Sequence, residues 1–152
     1  MDADQLRRDV VRPALRSVML HSEAAENLIM GTAAQESHLK YVRQLKGPAL
    51  GLWQMEPNTH DDIWSNFLSF RSDLAAEVLR SIQAIERPDY SRLVWDLRYG
   101  AIMARLHYRR VSAPLPDARD IWGMARYYKQ YYNSEMGVAT IEQFVENYRL
   151  VQ

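Results

Sequence analysis

The stretch Gly31 to Thr59 reads GTAAQESHLKYVRQLKGPALGLWQMEPNT, and the reading of the whole chain turns on one acid inside it, Glu36. Counting back from Glu36 in helical steps of three and four reaches Ala33, Thr32, Ile29 and Leu28, so the acid shares the stripe that faces the core. Burying an unpartnered carboxylate is costly, and the group responds by raising its pKa and holding its proton. Glu36 also falls in the last turn of the predicted helix, where the partial negative charge of the backbone disfavours an anion. Both effects favour the neutral acid, the form that a general acid in glycoside cleavage must hold near neutral pH. The plainer alternative is a helix-end glutamate whose stem packs while its head reaches water.

Glu36-Ser37 is followed, after a loop, by Gly51-Leu52-Trp53-Gln54 and then Met55-Glu56-Pro57-Asn58-Thr59. This combination resembles the lytic transglycosylases and g-type lysozymes, whose signature is Glu-Ser, a loop of this length, Gly-Leu-Met-Gln and, in the transglycosylases, Pro-x-Thr. The resemblance implies an all-α, lysozyme-like fold with a cleft for the alternating glycan of bacterial cell wall. It implies Glu36 as the catalytic acid/base, with Ser37 and Gln54 at the substrate and Gly51 as the glycine on which the motif turns. Trp53 stands where the family has Met or Phe, and keeps a large apolar group there.

Two further blocks of that family match less well. Its Asn-Ile-x-x-Gly with a tyrosine three residues on aligns with Asp96-Leu97-Arg98-Tyr99-Gly100, and Met103 replaces the tyrosine. Its Ala-Tyr-Asn-x-Gly has a partial counterpart in Tyr132-Asn133 with Gly137 further on, and Tyr128 competes for the tyrosine's role. Tyr128, Tyr132 and Asn133 are therefore the candidate sugar contacts from the C-terminal half.

The resemblance implies cleavage of the MurNAc-GlcNAc bond by a single carboxyl group, because the substrate's own N-acetyl group stabilises the charge at the anomeric carbon. Glu56 opens an alternative: g-type lysozymes carry an acid at this position, and a second acid facing the cleft would hold a water for hydrolysis. A third reading is a non-catalytic module that keeps the fold to bind glycan or to build a virion. The expected partner is the peptidoglycan glycan strand, and no cofactor or metal is implied. By the same analogy the chain is a bacteriophage product, either an endolysin or a virion component.

Composition sets the rest. A chain of 152 residues reads as a single domain, 1–152, and its 19 basic against 19 acidic residues argue against a broad basic surface for nucleic acid. Cysteine is absent, so neither disulfides nor thiolate metal sites arise. The apolar run near Val10 to Leu20 is interrupted by Arg12, Pro13 and Arg16, which predicts neither a signal peptide nor a membrane span. The expectation is synthesis in a host cytoplasm, with action on the wall after release through a pore or delivery in a virion.

Apolar spacing predicts helices over Asp4 to Met19, over Glu23 to about His38 with Ser22 as cap, from Thr59 or Asn58 through Phe70, from Ser72, over Tyr90 to Val111, from Asp117 to Tyr132, and from a Thr140–Gln143 capping box. Leu39 to Leu50 reads as a loop or small β-hairpin, and Tyr90 to Val111 as the central buried helix. His60-Asp61-Asp62 looks superficially like a ligand set but is expected to be a solvated helix start, and His107 a packing or surface residue.

Overall fold

In the computed structural model, which describes residues 1–133 and 137–152, 60% of the chain is helical. The β structure among the described residues amounts to two isolated antiparallel bridges, Arg43 to Leu50 and Leu50 to Met55, so the fold is all-α. None of these helices is long and apolar enough to cross a membrane.

The N-terminal rod begins with α1 (Ala3–Gln5), continues through a π-helical turn, Leu6–Val11, and ends in α2 (Arg12–Ser17). Pro13 has no amide hydrogen and its ring crowds the carbonyl one turn back, which normally breaks a helix. Here the preceding turn widens instead, Arg12 N–H bonding Arg7 O, and the rod continues past the proline.

The centre of the molecule is α3 (Glu23–Ser37), capped by Ser22, whose side chain accepts from Ala25 N–H. Its residues Ala25 to Ala34 are all buried. It packs between α9 (Ile141–Arg149), α8 (Ile121–Tyr131) and α7 (Leu97–Arg109). The Thr140–Gln143 capping box opens α9, and Asp120 rather than a residue near Asp117 caps α8.

The expected helix from Tyr90 to Val111 is two helices, α6 (Arg92–Trp95) and α7. Asp96 is extended between them and accepts from Tyr99 N–H, so a carboxylate that can cap stops one helix and starts the next. Trp95 is consequently exposed, with the Arg92 guanidinium over its ring.

On the other flank, α4 (Pro57–Asn66) starts at Glu56 with Pro57 in its first turn, not at Asn58 or Thr59. A single 3-10 turn, Leu68–Phe70, leads to α5 (Ser72–Ser81). Phe70 and Ile85 point to solvent.

Two polar groups are more deeply set than the sequence suggests. Glu26 is 4% exposed and accepts from Arg7, Arg12 and His21, drawing the N-terminal rod onto α3. His60 is fully buried, not solvated: its Nε2 pairs with Tyr99 Oη at 2.6 Å and its Nδ1 with Asp61 at 2.8 Å.

Candidate active site

The chain places Glu36 by the way it ends α3. His38 and Leu39 are both left-handed, with φ of 52° and 56°, so the helix stops at Ser37 and the backbone turns away. Glu36 is left in the final turn, where it lines a cavity of about 870 Å³.

The Gly51–Gln54 motif, whose Gln54 lines the same cavity, is held by three devices. Gly51 has φ of +77°, and a Cβ there would sit 2.4 Å from Leu93 O, so glycine alone fits. Trp53 is 2% exposed and donates its Nε1–H to Ile29 O at 3.0 Å, tying the motif to α3. Burial of that indole contributes about 2–3 kcal/mol. Its ring lies against Gly100, where a Cβ would come within 3.0 Å of the indole. Gln54 takes a left-handed conformation, φ 46°, and its side-chain amide donates to Gly51 O at 2.8 Å, which turns the residue toward the cavity it lines.

The end of α8 also lines the cavity, through Tyr128, Gln130 and Tyr131, with Tyr132 at its C-cap. Tyr128 donates its hydroxyl to Glu36 Oε1 at 2.5 Å, and Tyr132, one turn on, donates to Trp53 O at 2.5 Å. The two rings stack at 6.0 Å between centroids. Asn133 also lines the cavity, its Oδ1 accepting from Lys129, which bonds Gly137 O as well.

Burial raises the Glu36 carboxyl to a pKa of about 7, against the opposing hydrogen bond from Tyr128. Near neutral pH the group is therefore split between acid and base forms. The surrounding phenols stay protonated, since burial pushes Tyr108, Tyr128 and Tyr132 up. Tyr108 is further fixed by Thr32 Oγ1 at 2.7 Å, one helical turn before Glu36.

Glu36, Gln54, Glu56, Tyr128, Tyr132 and Asn133 thus border one cavity, with Glu56 exposed at the start of α4. Ser37 does not join them. It is fully buried and donates its hydroxyl to Ala33 O at 3.1 Å, because the residue after Glu36 on a helix faces a different side. Between the two candidate tyrosines, Tyr128 rather than Tyr132 holds the acid. Met103 is buried. The cavity also has a lining residue expected only to pack or to sit at the surface, His107, and the available signal was its position one turn after Met103 on the same face of α7.

Among the described residues, no group of three His, Cys, Asp or Glu side chains is disposed to hold a metal ion. What fold and site define is an all-α protein with a proton-sharing carboxylic acid in an open, aromatic-walled cavity. In comparison with known proteins, no family model, no curated protein and no solved structure matches this chain.

Proposed function

We propose that the protein cleaves the MurNAc-GlcNAc bond of peptidoglycan as a lytic transglycosylase on a lysozyme-like fold, with Glu36 as the single acid/base. The observation that carries this reading is a buried carboxyl poised at about 7, hydrogen-bonded by a tyrosine and open to a cavity of about 870 Å³. Such a group can give a proton and take one back at the same pH.

In the first step the protonated Glu36 carboxyl transfers its proton to the glycosidic oxygen as the bond from that oxygen to the anomeric carbon breaks. The carbonyl oxygen of the substrate's N-acetyl group bonds to the anomeric carbon and carries the positive charge. In the second step the Glu36 carboxylate removes the proton of the sugar's 6-hydroxyl, whose oxygen displaces the acetamido oxygen and closes a 1,6-anhydro ring. Tyr128 holds Glu36 in place through both steps and stabilises its anionic form between them.

Glu56 supports a second reading, hydrolysis, because it lines the same cavity and could hold a water there. Mass spectrometry of fragments released from purified sacculi separates the two: anhydro ends follow transglycosylation, reducing ends follow hydrolysis. Glu36→Gln should release no fragments, and undiminished release would overturn both.

A further inference from the structure

His107 projects from the last turn of α7 into the cavity that holds Glu36. Arg110 Nη2 lies 2.7 Å from its Nδ1, and Arg110 Nη1 pairs with Asp62 Oδ2 at 2.5 Å. A guanidinium has no lone pair to offer, so Nδ1 must accept and the ring proton must sit on Nε2. The ring is held edge-on against Tyr132, centroids 4.7 Å apart.

Nε2 has no hydrogen-bond partner among the described residues. His107 lines the cavity, and with Nδ1 taken by Arg110 the Nε2–H is the donor the ring has left to offer there. Burial first, and then the Arg110 charge, lower the ring's pKa to about 4, with Asp62 opposing. The imidazole is therefore a neutral donor of fixed tautomer across the range in which Glu36 titrates. Among the described residues the other acids lining this cavity, Glu36 and Glu56, do not alter that assignment, because Arg110 occupies Nδ1.

Position gives the donor a task. Tyr128 marks the acid and Tyr132 marks His107, and the centroids of the two tyrosine rings lie 6.0 Å apart. That is close to the length of one pyranose ring. We propose that His107 is a substrate-positioning residue, donating its Nε2–H to an acceptor oxygen, hydroxyl or amide carbonyl, of the sugar one place along the cleft from the bond that Glu36 cuts. The proposal rests on the glycan-cleaving reading above. Because Arg110 and Tyr132 hold the donor before substrate arrives, little ordering is needed on binding.

The experiment uses the silent Glu36→Gln protein and a soluble β-1,4-linked N-acetylglucosamine oligomer, with binding followed by calorimetry. Adding His107→Phe, which keeps an aromatic ring beside Tyr132 but removes the donor, should weaken binding about tenfold. Adding His107→Gln, whose amide nitrogen reaches about the place of Nε2, should restore it to within about threefold. Nitrogen NMR of His107 in the Glu36→Gln protein, which does not depend on how either variant folds, should show the Nε2–H tautomer and a shift of Nε2 on saturation with the oligomer. Equal affinity of the phenylalanine variant, or an unmoved Nε2 resonance at saturation, would overturn the proposal while leaving the cleavage reading intact. If the Glu36→Gln protein does not bind the oligomer and the unmodified protein frees no fragments from sacculi, the cleavage reading itself fails, and this inference with it.

Discussion

Tyr128 donates its hydroxyl to Glu36 across 92 positions of sequence, and this bond is the counterweight to burial at the acid. Removing it with Tyr128→Phe leaves desolvation unopposed, so the Glu36 pKa should rise above 7 by about one unit. The upper limb of the pH–rate profile on sacculi should move to higher pH by the same amount. An unmoved limb would mean that Tyr128 supports the fold but does not tune the acid.

Glu36 should also leave a signature in stability. Its folded pKa, about 7, lies above the 4.5 of an ordinary glutamate, so between those values the folded state binds more protons than the unfolded chain. Stability at this group is therefore full below about pH 4.5 and falls as pH rises through 7. Glu36→Gln, which mimics the protonated form and still accepts from Tyr128, should be more stable than the parent by about 2–3 kcal/mol at pH 8 and nearly equal to it at pH 4. Urea titrations at the two pH values measure this directly.

Glu26 predicts the opposite dependence. Burial alone would raise its pKa, but hydrogen bonds from Arg12, His21 and Arg7 prevail and hold it at about 2, below the usual 4.5. Its contribution is complete above 4.5 and is lost as pH falls toward 2, so acid unfolding should set in across that window. Glu26→Gln should cost about 3 kcal/mol at pH 7, since it strands Arg7 without its carboxylate partner, and should flatten the acid transition. Thermal melts of both proteins from pH 2 to 7 provide the comparison.

Gly51→Ala tests whether the motif is fixed by its backbone. The left-handed φ and the approach to Leu93 O together should cost about 3 kcal/mol, without any change of charge or of cavity lining. Chemical denaturation that shows a loss below about 1 kcal/mol would mean the loop relaxes freely.

Local chemistry fixed much of this molecule in advance. Ser22 and the Thr140–Gln143 pair start α3 and α9 where their sequences indicate, because a cap and the amides it satisfies lie within one turn of chain. The half-apolar setting of Glu36 was legible for the same reason, since its stripe runs through a single helix. The stop at Asp96 was not, because Leu93, Val94, Trp95 and Leu97 hold a helical pattern on both sides of it, and only the cap bond to Tyr99 N–H divides them.

By itself, then, the sequence determined the helical class, the starts of α3, α5 and α9 and one acid on a buried stripe, all of which depend on neighbours a few residues away. The tertiary structure decided which tyrosine meets that acid, that Ser37 turns inward, that Glu26 and His60 are buried with their partners, and that His107 reaches the cavity. Tyr128 and Tyr132 sit four residues apart, in the last turn of α8 and at its C-cap, and the seating of α8 against α3 and the Trp53 loop distinguishes them. Such pairings join residues far apart in the chain, and packing geometry, which no local pattern encodes, sets them.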